Sequence, residues 1–372
     1  TVQVNAKRLG VREGAALVNN GTIVVCGSSN KNGFAMLYGT FSGNELTVPE
    51  GCFLDNNGSN YFATANKNAL YEITYIDGTV KKTADRPHVD KNATQVKLLK
   101  DVEVGSWVLS NAADNFVLDL GGHTLSGSKS SGYYVLYAGV NMTIKNGTIK
   151  YNAGNEKGAI CVYNGATVTI DSTATIDGDS GIGIMMQGET PSHVVLNGTV
   201  TTTGAYGFAS NGSANSDGNP DTCNITVNAG ATIKASKGFA IYHPTLGTVT
   251  INGGEITGHT GIEMCAGKLV VKDGTITSTG ANKDETGSQN AILDGAAISI
   301  INRSYPGGVP TAEITGGTIK ATGTGMTVKA YDYTGNTVAE WSNVSESVNI
   351  SGGTFSSIPD NMNALCAAGY IP

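Results

Sequence analysis

The sequence predicts an all-β solenoid, a parallel β-helix with three short strands per coil and an irregular, β-rich N-terminal cap. Three observations predict it. The first is a repeated frame. Val249–Ile256 reads VTINGGEI, and the frame fits without gaps on Leu118–Leu125 (LDLGGHTL), Met142–Ile149 (MTIKNGTI), Leu269–Ile276 (LVVKDGTI), Ala312–Ile319 (AEITGGTI) and Val348–Phe355 (VNISGGTF). The second is a half-motif, Gly followed by alternating apolar residues: GIGIM from Gly181, GFAIY from Gly238, GIEMC from Gly261, GAAIS from Gly295 and GMTVK from Gly325. The third is composition. With 51 Gly in 372 residues, 7% aromatic and 14% charged residues, the chain is rich in turns and β formers.

Each part of the frame has a physical reason. A coil of about 20–26 residues cannot bury its own apolar face, so stacked coils share one continuous core. Neighbouring strands then pair about 4.8 Å apart. Strand residues alternate in and out, which predicts Val249, Ile251, Ile256, Ile262 and Met264 inside and Thr250 outside. Asn-Gly and Gly-Gly steps supply the left-handed corners that β-branched residues resist. Leucine-rich repeats need Leu at fixed spacing, and propeller blades need about 40 residues; neither pattern is present.

Along the chain, residues 1–92 read as irregular first coils or a cap. Ala15–Cys26 and Leu46–Gly58 are coil fragments, and Tyr71–Lys82 predicts a hairpin around Asp77-Gly78. Residues 93–357 read as the regular β-helix, and 358–372 as a C-terminal cap that could include a short helix. Three polar excursions interrupt the coils: Asn211–Thr222, Gly280–Asn290 and Tyr331–Ser347. Insertions of this kind in repeat proteins either bind ligands or decorate the surface.

The net charge of −7 comes without any basic stripe, which argues against a nucleic-acid partner. No apolar run has membrane-spanning length. The chain begins at Thr, which reads as a mature or trimmed form. Six cysteines are scattered without a C-x-x-C pair, which disfavours zinc. Free thiols filling coil interiors are favoured over disulfides, and Cys161 aligns with inward Ile184, Ile241 and Met264. No cofactor is expected. Calcium binding is possible but has no motif behind it.

Val96–Thr124, with VKLLKDVEV and FVLDLGGHTLSG, is followed by MTIKNGTI and, at the end, ISGGTFSS. This series resembles secreted and surface-exposed β-helix proteins of gut anaerobic bacteria with the pectin-lyase-like fold. The resemblance runs from about Ala93 to the C-terminus. It implies a right-handed parallel β-helix and an extracellular, secreted or cell-surface location. It does not imply one function, because the fold hosts lyases, glycosidases, tailspikes and adhesins.

Carbohydrate chemistry on such a fold needs clustered carboxylates or acids beside an Arg or Lys base. The outward column of the first strand runs Asp119, Thr143, Thr169, Val195, Thr226, Thr250, Val270, Glu313, Asn349, mostly what β propensity selects. The gapless alignment of the Gly-led strands places Gly183, Ala240, Glu263, Ala297 and Thr327 outward. Just beyond them lie His243, Glu263, Asp294 and Arg303, with Asp332 nearby. If catalytic, Glu263 would be the acid or base and Arg303 the anion clamp. His123 reads as a turn residue. Sugar recognition uses aromatic faces with directed polar groups, and Tyr305, Tyr331, Tyr333 and Trp341 in and before the third excursion are the candidates.

Three functions fit these residues. The leading one is a non-catalytic extracellular scaffold, adhesin or glycan-binding surface protein, with a glycan or host-surface ligand as partner. The alternatives are a polysaccharide lyase or glycoside hydrolase, and a self-associating filament subunit or virion fibre.

Overall fold

The computed structural model describes residues 69–372 apart from 84–85, 128–132, 153–156, 212–220, 284–290, 306, 335–336, 360 and 371–372, with the segments 8–11, 16–20, 34–37 and 40–43 before them. Two units are distinguishable: residues 1–102 with 111–123, and residues 103–110 with 124–372.

In the first unit, Arg8–Val11 pairs in parallel with Phe34–Leu37, and Ala16–Asn19 with Thr40–Gly43. Much of the coil fragments Ala15–Cys26 and Leu46–Gly58 lies outside the described residues, as do Cys26 and Cys52. The expected hairpin is present. Tyr71–Tyr75 and Val80–Thr83 run antiparallel. Gly78 has φ 81°, and the Thr79 N–H donates to Asp77 Oδ1 at 2.9 Å. On its other side Tyr71–Tyr75 pairs antiparallel with Ala93–Leu98, which pairs in parallel with Phe116–Gly127. An antiparallel strand on the free edge of a parallel ladder closes that edge to further pairing. His123 lies within the strand Phe116–Gly127, its ring 3.6 Å from Asp101.

The second unit is the parallel β-helix. One coil consists of Thr167–Ile170, Ala174–Asp177 and Ile182–Met186, and the next of Ser192–Leu196, Thr199–Thr202 and Tyr206–Ser210. Each strand pairs in parallel with its counterpart one coil on. The first-strand column from Thr143 to Asn349 keeps the register expected from the repeat. Inside, Val249 stacks on Leu269, Ile251 on Val271 and Ile256 on Ile276, all without exposure. Full burial of each such side chain contributes roughly 1.5–3 kcal/mol.

The third ladder departs from the gapless alignment. Its outward column runs Val108, Tyr137, Cys161, Met185, Ala209, Tyr242, Glu263, Ser299, Lys329. Gly183, Ala240, Ala297 and Thr327 are therefore not on it. The leading Gly is not the marker of this register. Gly261 takes the level of Ala240 and Ala297, two residues out of step with Gly238 and Gly295. A Cβ on Gly183 would lie 2.6 Å from Val200 Cγ1, and one on Gly207 2.9 Å from Ile233 Cγ2. Glu263 stays outward because it lies between the inward residues Ile262 and Met264. Cys161 pairs with Met185, one place past the inward Ile160–Ile184 pair, which corrects its expected inward placement.

Tyr331 belongs to a strand and not to a loop. Val328–Thr334 continues the third ladder and turns back as an antiparallel hairpin with Thr337–Ala339. At the C-terminus, Met362–Leu365 forms the short helix, Leu365 is buried, and Cys366 bridges Ile350. Among the described residues, no helix is long and apolar enough to cross a membrane.

Candidate functional site

Glu263 is outward on its strand, yet it has no solvent exposure. Alternation puts Cys265 on the same face, and both are covered by the segment around Ile292 and by outward side chains of the following ladder strands. Ile292, Ile301 and Tyr331 pack with Tyr206, Phe239 and Tyr242 in an apolar cluster, with Tyr305 and Tyr333 at its margin. The roof and the neighbouring Cys265 together satisfy the carboxylate. The Ile292 N–H donates to Glu263 Oε2 at 3.1 Å, and the Cys265 thiol donates to Oε1 at 3.3 Å. Arg303 Nη2 reaches Oε1 at 3.4 Å.

Arg303 is 9% exposed, and its guanidinium lies 4.9 Å from the Tyr333 ring centroid. Its Nε is buried without a partner. Burial works against the charge on Arg303, but Cys265 and Glu263 beside it hold its pKa above the ordinary value. Burial pushes Glu263 up to about 8; Arg303 pulls against that rise and Asp294 adds to it.

Asp294 is also fully buried. Its Oδ1 accepts the Ala296 N–H at 2.9 Å and the Thr260 hydroxyl at 3.4 Å. Its Oδ2 accepts the Ser299 hydroxyl at 2.5 Å and the Tyr331 hydroxyl at 3.2 Å. Burial raises the Asp294 pKa, and the Ser299 and Ala296 hydrogen bonds oppose the rise. Burial, reinforced by the Asp294 charge, lifts the Tyr331 phenol well above its usual range.

The expected constellation is therefore partly assembled. Glu263 and Arg303 pair directly, and Asp294 is buried close enough for its charge to raise the Glu263 pKa while keeping a separate set of donors. His243 does not belong to this group. It pairs with Met264 on the inward side of the ladder, opposite to Glu263. There its Nε2 contacts the Cys223 carbonyl at 2.8 Å, Nδ1 has no partner, and burial lowers its pKa. A shift of one residue along a strand changes the face, and His243 follows the outward Tyr242. Asp332 pairs with Asn302, whose Nδ2 donates to its Oδ1 at 2.8 Å.

Of the four candidate ligand aromatics, Tyr331 and Trp341 are buried, each 4% exposed, which takes their faces away from solvent. Tyr305 and Tyr333 are half-buried at the margin of the roof. Among the described residues, no group of three or more His, Cys, Asp or Glu is placed to hold a metal ion.

The sequence reading missed Tyr242, Thr260, Cys265 and Ser299. Cys265 was recoverable, since it is two residues from Glu263 and shares its face. Tyr242 and Ser299 required the ladder register. Arg303 faces Glu263, and the Asp294 carboxylate is held by hydroxyl and backbone N–H donors. The oxygens of both carboxylates are engaged by internal donors, and neither carboxylate is exposed to flank a glycosidic bond. The chain matches no family model, no curated protein and no solved structure with which it was compared.

Proposed function

We propose that the chain is a non-catalytic, extracellular β-helix scaffold of the pectin-lyase-like kind, acting as an adhesin or glycan-binding surface protein. The observation that carries this reading is the roofing of Glu263, Asp294 and Arg303. The acids that would have to work on a substrate are consumed in internal hydrogen bonds and in the pair with Arg303. The first-strand column supports it, with Thr and Val at most positions between Thr143 and Val270. The resemblance of Val96–Thr124 to secreted β-helix proteins supports the location.

A second reading, a carbohydrate-active enzyme, draws on one observation. A carboxylic acid raised to about 8 beside an Arg is the kind of perturbation that catalytic acids show. A glycan array combined with reducing-sugar and unsaturated-product assays separates the two. Binding without turnover is expected. Turnover by the parent that is abolished in both Glu263→Gln and Arg303→Ala would establish the enzyme.

A further inference from the structure

The outward face of the third ladder is roofed around Glu263, but a set of tyrosines stands on its earlier coils. Val108 and Tyr137 are paired outward neighbours there, and Val108 is 55% exposed. The row beside them is defined by backbone hydrogen bonds. Gly139 N–H donates to the Leu109 carbonyl, Tyr163 to Ala138, Gln187 to Val162 and Asn211 to Met186. Gly139, Tyr163, Gln187 and Asn211 therefore stand level on successive coils.

Gly139 has a specific task in this row. A Cβ at this position would lie 2.6 Å from Tyr163 Cζ and 2.8 Å from Cε1. The bare Cα is what allows the Tyr163 ring to lie down across the preceding coil. The ring is held edge-to-face against Tyr137 at 6.3 Å, and Tyr137 edge-to-face against Tyr134 at 5.5 Å. Tyr133 is 64% exposed, with Lys157 Nζ 4.7 Å from its ring centroid. Tyr137 and Tyr163 are half-buried, and Gln187 and Asn211 are exposed.

We infer that Tyr133, Tyr137 and Tyr163, continued by Gln187 and Asn211, form a binding platform for an uncharged oligosaccharide. The inference rests on the glycan-binding reading above and names its site and ligand class. The chemistry matches point by point. A sugar ring presents CH patches that stack on aromatic faces, and its hydroxyls need directed donors and acceptors. Amide side chains supply both. Coils repeat about every 4.8 Å, so Gln187 and Asn211 follow Tyr163 at spacings a linear glycan can track. The Tyr163–Gln187–Asn211 row carries no charge, which complements a neutral ligand. Tyr137 and Tyr163 brace one another edge-to-face, so little of their rotamer freedom is lost on binding.

The test is calorimetric titration of the full chain with cellohexaose, xylohexaose, mannohexaose and maltohexaose. Binding of at least one is expected. Tyr163→Ala and Gly139→Ala should weaken it about tenfold, the scale of one lost aromatic contact. Tyr133→Ala, with its ring mostly in solvent, should weaken it with no change in melting temperature, so a folding defect cannot account for the loss. Parent-like binding by Tyr133→Ala and Tyr163→Ala would overturn the platform. If Tyr305→Ala or Tyr333→Ala lost binding in that case, the glycan-binding reading would survive without it. Binding of none of the four sugars would overturn the platform, and an empty glycan array in addition would overturn the glycan-binding reading.

Discussion

Glu263 and Arg303 meet at 3.4 Å inside the protein although 40 residues separate them along the chain. The contact ties the residue that follows the strand Ile298–Asn302 to the paired strand Glu255–Met264 one coil back. Burial desolvates both groups, and the N–H of Ile292 in the roof and the thiol of neighbouring Cys265 return only part of that cost.

The first prediction follows from the sign of the Glu263 shift. Its pKa is raised in the folded protein to about 8, so the native state holds a proton that the unfolded chain has released. Its stabilising contribution is complete below the unfolded carboxyl pKa of about 4.3 and is lost as pH rises towards 8. Thermal melts between pH 5 and 8 should fall with pH, and Glu263→Gln should flatten that slope. An unchanged slope in the mutant would show that Glu263 is ionised throughout.

His243 should act in the opposite direction. Its folded pKa is lowered by burial, so its contribution is present above the unfolded value of about 6.5 and lost as pH falls below it. His243→Gln should lose roughly 1–3 kcal/mol at pH 7.5, from the contact with the Cys223 carbonyl. It should also lose less stability than the parent between pH 7 and 5. Parallel acid limbs for mutant and parent would argue that His243 does not carry this dependence.

Ile251 lies between Val227 and Val271 with no exposure. Ile251→Asp would bury an unpaired carboxylate in a continuous apolar column, a loss of more than about 4 kcal/mol. Chemical denaturation should show the flanking coils unfolded or the cooperative transition gone. A parent-like transition would refute the register of the first ladder.

The described cysteines should differ in reactivity. Cys161, Cys223 and Cys265 are free and buried, and burial pushes the Cys161 and Cys223 thiols up to about 12. Thiolate, the reactive form, is then scarce and shielded. Cys366 is free and only half-buried. Brief alkylation of the native protein followed by peptide mapping should label Cys366 well ahead of the other three. Equal labelling would mean that the coils open readily.

What the sequence determined by itself is the repeat. Alternation over two residues and Asn-Gly corners are local rules, so Val249, Ile251 and Ile256 could be assigned inside and Thr250 outside from their spacing alone. The hairpin at Asp77-Gly78 was legible for the same reason, since its turn is encoded by the residues that make it. Tertiary structure decided everything that depends on which residue of one coil stands level with which of the next. Gly261 looks like the leading glycine of its strand, but it stands level with Ala240 and Ala297, and this sets Glu263 level with Tyr242 and Ser299. His243, one residue past Tyr242, is thereby turned inside. Burial of Glu263, Asp294 and Arg303 was likewise out of reach of the sequence. Their roof comes from the segment after the second excursion and from outward side chains of later ladder strands, and only the folded register reveals that Ile292, Ile301 and Tyr331 seal it.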